Sequence, residues 1–133
     1  LTKRHRQLLD DMAETMYAAD GVGLAAPQVG KSLRIVVIDV QDEHGLLELV
    51  NPVITMREGS VTESEGCLSV PKVYGDVERA ERVTVEYTDR RSRRRTLTAE
   101  GLLARCIQHE CDHLEGRLFI DIAVRLRKGE EEE

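Results

Sequence analysis

The sequence predicts an α+β fold in which short strands pack around a late helix, and three observations carry that reading. A pattern of helical period opens the chain, a second one occupies its last third, and β-branched runs separated by Gly- and Asn-bearing turns lie between them. A length of 133 residues suits one domain, spanning 1–133, with a polar acidic tail at 129–133. The 19 basic and 25 acidic side chains leave a net charge of −6, and there is no Trp and a single Phe. That balance argues against a basic groove with stacking aromatics, so no direct nucleic-acid binding is expected. No apolar run approaches the length of a membrane span, and no membrane association is expected. Three cysteines without a visible secretion or transit signal suit a reducing compartment better than a disulfide framework, and a cytoplasmic location is expected. An organelle form with its transit segment removed would read the same. The chain opens at Leu1 directly in a helical pattern, which reads as a fragment or a trimmed product.

From Thr2 to Asp20, Leu8, Leu9, Met12, Met16 and Tyr17 recur at helical spacing, with Tyr17 and the methionines as core-facing groups and Gly21 as a left-handed stop. His5 is read as solvated. Gly21-Val22-Gly23-Leu24-Ala25-Ala26-Pro27-Gln28 follows a helix rather than a strand and lacks a Gly-Lys-Ser/Thr, so it is a weak phosphate-loop signal. It reads either as a tight turn or as bare backbone that lets a ligand approach, with Gln28 offering an amide donor. Arg34 to Val40 is a buried strand, Asp42 to Gly45 a turn carrying a solvated His44, and Leu46 to Val50 the hairpin partner. Asn51-Pro52 is read as a break before Val53 to Met56. Val61 to Ser69 leads to Cys67 at an exposed strand end. Val83 to Tyr87 alternates as a half-buried strand that Thr96 to Thr98 can pair across a charged tip bearing Arg90, Arg91, Arg93, Arg94 and Arg95.

The second helix, read from an N-cap near Thr98 to Gly116, carries Gln108-His109-Glu110-Cys111-Asp112-His113. Residues four apart share a helix face, so His109 and His113 can present two imidazole nitrogens to one metal ion. Glu110 lies about 100° round the helix from His109, placed to act as a general base without filling a coordination position. A catalytic metal usually takes three protein ligands. No His follows His113, and Cys67 in Glu65-Gly66-Cys67-Leu68-Ser69 is a better third ligand than the downstream carboxylates Glu115 and Asp121. Leu102, Cys106, His109 and His113 share one face, which puts Cys106 beside the site, whereas Cys111 points nearly opposite as a packed thiol. Glu65, if buried, needs a cation, and Arg79 is the candidate.

Gly21 to Gln28, Glu65 to Ser69 and Gln108 to Leu114 together resemble, in order and separation, the three motifs of the peptide deformylases. The similarity runs from about Leu8 to Ile122. The resemblance implies a single divalent metal, ferrous iron in the cell with Zn2+, Ni2+ or Co2+ able to substitute, and removal of the N-formyl group from formyl-Met at the start of newly made polypeptides. It implies Cys67, His109 and His113 as ligands, Glu110 as the acid/base, and Gln28 with the Leu68 backbone N–H as donors to the formyl oxygen. It further implies that Gly23 bonds the substrate backbone, that Val22, Leu102, Cys106 and His109 border the Met pocket, and that Glu65 and Arg79 form an ion pair behind the ligand loop. Asp112 would orient a ligand or the helix. Arg105 stands where an aliphatic pocket residue is common, a departure that bears on the pocket's size and polarity. The strand-bearing segment that family members carry ahead of the first helix is missing from the match, which would uncover a sheet edge. The long C-terminal helix some members dock on the ribosome is vestigial, so ribosome contact is expected to be weak and transient. Two other readings fit the same residues: a catalytically inactive relative that binds peptide N-termini, and a zinc endopeptidase.

Overall fold

The computed structural model describes the backbone of residues 1–67, 70–115 and 125–128, and the side chains of residues 1–63 and 77–115. The side chains of Glu65 and Cys67, all of Leu68 and Ser69, the helix end expected at Gly116, the segment 117–122 and the tail 129–133 fall outside those residues.

Helix α1 (Lys3–Ala18) starts from Thr2, whose hydroxyl accepts the His5 N–H at 3.3 Å while His5 Nδ1 accepts the Thr2 N–H at 3.2 Å. His5 therefore closes a reciprocal cap and is not the idle solvated ring the sequence suggests. At the other end Asp20, not Gly21, takes the left-handed conformation (φ 56°). The Gly21 N–H donates to Met16 O and the Asp20 N–H to Tyr17 O, a crossed pair of bonds that satisfies the last carbonyls. Leu9, Met12 and Met16 are buried as expected, but Tyr17 is 44% exposed. Its phenol donates to Asp39 Oδ2 at 2.6 Å, and a polar tip that finds such a partner at the rim has no reason to enter the core.

Strand β1 (Gly23–Ala25) leads into a 3-10 turn (Ala26–Val29), followed by β2 (Ile35–Ile38) and the long β3 (Leu47–Glu58). The Asn51-Pro52 break expected from the sequence is instead an irregularity inside one continuous strand. Asn51 turns to φ 51° and gives its N–H to Arg34 O at 2.7 Å, which absorbs the extra residue as a bulge. Strands β4 (Val61–Cys67) and β5 (Val70–Arg79) form an antiparallel pair with Cys67 opposite Val70, and β6 (Arg82–Thr88) pairs with β7 (Arg94–Glu100). Helix α2 (Gly101–Leu114) begins two residues later than expected, because Thr98 is still paired with Thr84 in the sheet. β7 turns into α2 without a loop: Gly101 adopts φ 60°, which a side chain would oppose, and donates to Glu81 O at 3.1 Å. β8 (Arg125–Lys128), not anticipated from the sequence, pairs with β5.

The strands form a five-stranded antiparallel sheet in the order β1-β2-β3-β6-β7 and a three-stranded one in the order β4-β5-β8. The larger sheet has a helix on each face at its β1–β2 end. Val36, Ile38 and Ala25 pack with Leu103, Ala104 and Ile107 of α2, whereas Ile35, Val37 and Leu24 pack with Leu9, Met12 and Met16 of α1. Alternate residues of a strand face opposite sides, so two covered faces demand the uninterrupted apolar run Ile35–Ile38. Among the described residues no helix is long and apolar enough to cross a membrane.

Candidate metal centre

Helix α2 sorts its side chains by direction. At about 100° per residue, Leu103, Ile107 and Leu114 fall on the side pressed against the sheet, and His109 and His113 fall together about 120° round from them. The two imidazole Nε2 atoms stand 3.2 Å apart, with ring centroids 4.9 Å apart and planes inclined at 70°. Two nitrogen ligands bound at about 2.0–2.1 Å to one tetrahedral ion stand about 3.3 Å from each other, so this spacing is the one a shared ion requires. It also serves a hydrogen bond when one Nε2 carries a proton. The chemistry of the donors, two imidazoles on one helix face, fits a divalent transition ion.

Glu110 is 5% exposed although it is a carboxylate, and it lies against the bare backbone of β1. A methyl group built on Gly23 would stand 2.7 Å from Glu110 Oε2 and 3.0 Å from Cγ, so the carboxylate occupies space that only glycine leaves open. Gly23 and Ala25 share the α2-facing side of β1, because side chains alternate along a strand. Beyond them, Gln28 Oε1 accepts the Ala25 N–H at 2.9 Å inside the 3-10 turn. That bond ties the amide's oxygen to the backbone of its own turn. Val22, immediately before β1, is 41% exposed, and Leu102, in the first turn of α2, is 56% exposed. Cys106 is buried in the core on the α2 side.

Cys67 is the last residue of β4; its side chain, like Leu68, lies outside the described residues. Cys111 packs against the core, as expected from its direction. Burial, reinforced by the charge of Asp112, pushes its thiol up to about 12, so it stays protonated and offers no thiolate. His44 sits with Asp42 and Glu43 in an exposed turn, its Nδ1 3.0 Å from Asp42 Oδ2, and is the solvated histidine expected.

Three polar side chains of α2 tie the helix to its surroundings. Gln108 accepts the Ala80 N–H at 2.9 Å and donates to Ala80 O at 2.8 Å and Ala104 O at 3.0 Å. Asp112 pairs with the buried guanidinium of Arg79. Glu65, the partner expected for Arg79, lies outside the described side chains. Arg105 is only 7% exposed, and its guanidinium donates to the carbonyls of Val61 at 3.2 Å, Glu63 at 3.0 Å and Val77. Its guanidinium is thus directed at the backbone of β4 and β5. The roles of Gln108 and Arg105 were missed, although polar residues at i, i+3 and i+7 of a helix with an apolar face were a signal that something binds them.

Comparison with known proteins gives one answer throughout. The family model for polypeptide deformylase matches residues 1–129. A peptide deformylase of Pelotomaculum thermopropionicum is 57% identical over 122 residues, covering 92% of this chain and 77% of that one. The crystal structure of a peptide deformylase from Legionella pneumophila superposes with a TM-score of 0.88 at 50% identity, covering 91% of this chain and 72% of that one. A peptide deformylase from Synechococcus elongatus, solved in complex with actinonin, matches with a TM-score of 0.88 at 52% identity, over 92% of this chain and 68% of that one. The chain belongs to the polypeptide deformylase family, and is accordingly a metal-dependent hydrolase that removes the N-formyl group from newly synthesised polypeptides.

Proposed function

We propose that Cys67, His109 and His113 hold one divalent ion, ferrous in the cell and replaceable by zinc, nickel or cobalt, and that Glu110 is the acid/base of the reaction. One observation carries the reading: two imidazole Nε2 atoms 3.2 Å apart, beside a buried carboxylate on the same helix. A divalent ion held there supplies Lewis acidity, polarising the formyl carbonyl and lowering the pKa of water toward about 7. The remaining work falls to the protein. Glu110 takes the proton of the attacking water as the nucleophile reaches the formyl carbon. As negative charge gathers on the formyl oxygen, the Gln28 amide and the Leu68 backbone N–H donate to it, each such donor being worth about 3 kcal/mol of barrier. Glu110 then delivers its proton to the departing amine nitrogen, and formate is released. The Gly23 backbone bonds the peptide, and Val22, Leu102, Cys106 and His109 border the methionine side chain.

The seat of Glu110, buried against Gly23, supports this role, because proton transfer needs a carboxylate held in place. Residues 1–133 constitute one catalytic domain, working in a bacterial-type cytoplasm with at most a weak, transient ribosome contact, which fractionation and ribosome co-sedimentation would check. Formate release from a formyl-Met peptide, assayed on anaerobically purified protein of measured metal content, tests the assignment. Glu110→Ala is expected to lose about 10²–10⁴-fold in kcat while retaining its metal. Unchanged turnover in that variant overturns the role.

A further inference from the structure

The proposed ligands come from two different parts of the fold: the histidines from α2, which packs on the larger sheet, and Cys67 from the end of β4 in the smaller one. Something must fix the distance between them. Among the described residues, Arg105 is a side chain of α2 that reaches β4. It lies one helical turn before His109, is 7% exposed, and spreads its donors over Val61 O and Glu63 O of β4 and Val77 O of β5.

We infer that Arg105 is a positioning residue for the metal: it holds the cysteine-bearing strand at the distance from the histidine helix at which all three ligands can meet one ion. The inference rests on Cys67 being a ligand. From this anchor, β4 advances four residues from Glu63 to Cys67, about 13 Å of strand. α2 advances four residues to His109 and eight to His113, about 6 and 12 Å of helix. The two runs thus travel comparable distances from a common origin, and an error at the origin carries through to the ligands. Arginine suits the task for a physical reason. Its planar fork serves several carbonyls in fixed directions and stays charged when buried, whereas a lysine is a single flexible point charge. Gln108 and Asp112 hold the same helix, but through Ala80 and Arg79, beyond or at the far end of β5, and neither touches β4.

The experiment compares the full chain, Arg105→Met, Arg105→Lys and Cys67→Ser, each stripped of metal and titrated with Co2+. Two quantities are read: affinity for the ion, and the near-ultraviolet thiolate-to-cobalt charge-transfer band, which reports sulfur at the ion specifically. Circular dichroism and thermal unfolding of the metal-free proteins show separately whether each variant is folded. Arg105→Met is expected to bind Co2+ about 10–100-fold more weakly, the range for residues that orient metal ligands, with a diminished band. Arg105→Lys is expected to lie between it and the parent. A general loss of stability lowers the unfolding temperature but does not remove the sulfur band from molecules that remain folded. If Arg105→Met fails to fold, the folded Arg105→Lys protein decides: weakened affinity and band support the inference, and parental values overturn it. A parent chain with no band, indistinguishable from Cys67→Ser, overturns the ligand assignment and this inference with it. A band present in the parent and unchanged in both Arg105 variants overturns the inference alone.

Discussion

Gly23 gives up a side chain so that Glu110 can have a place to sit, and single-residue accommodations of this kind shape the centre. The glycine has an ordinary negative φ, so alanine meets no backbone objection, but its methyl would arrive 2.7 Å from the carboxylate oxygen. What yields is the end of a flexible side chain. Gly23→Ala is therefore expected to fold with near-parental stability and to lose about 100-fold in kcat, the scale of effect of a 1 Å misplacement, as steady-state kinetics alongside thermal unfolding will show. At the tip of the β6–β7 hairpin, Asp89 performs a different local task. The Arg93 N–H, and after it the Arg95 guanidinium, hold its carboxyl below the ordinary value. A carboxyl depressed in the folded state stabilises it above the unfolded value of about 4 and ceases to as pH falls through the folded value. Asp89→Asn should thus unfold at a lower temperature than the parent at neutral pH, and the difference should vanish in acid, as a pH series of melts will reveal.

Helix α2 needs more than its apolar face to be placed, since packing against a sheet fixes distance better than rotation. Gln108 supplies rotation by gripping both polar groups of Ala80. Gln108→Leu keeps the volume and strands those groups, which should lower stability by about 1–3 kcal/mol in urea unfolding. Much at this scale was legible beforehand. The apolar stripe of α1, the run Ile35–Ile38, the β6–β7 hairpin and the His109/Glu110/His113 arrangement all follow from periodicity, because burial of one face imposes a period that sequence displays. The misreadings share a cause: they depend on partners distant in the chain. Asn51-Pro52 looks like a stop until Arg34 O is there to accept the Asn51 N–H. Thr98 looks like a cap until Thr84 pairs with it. The hold of Arg105 on β4 and β5 was equally invisible, because backbone carbonyls are present at every position and leave no mark in the residue pattern.

Across the whole molecule, two sheets meet at the catalytic helix, and the proposed ion would join a strand of the smaller sheet to that helix as a third fastening beside Arg105 and the Arg79–Asp112 pair. An ion that binds only the folded chain stabilises it by mass action, by about 4 kcal/mol when free ion stands at 1,000 times its dissociation constant. Chelation is therefore expected to lower the unfolding temperature of the parent but not of Cys67→Ser, which scanning calorimetry resolves. The two sides of the reaction centre also differ in what their alignment depends on. Gln28 is held by an amide three positions earlier in its own turn, so the donor proposed there is set by a few neighbouring residues. The proposed ligands have no such independence, since Cys67 ends β4 and the histidines belong to α2, segments remote from each other in the chain. On the proposed ligand set, gentle warming is accordingly expected to disarm the catalyst by letting its cation escape, before the short turn around Gln28 has lost its shape.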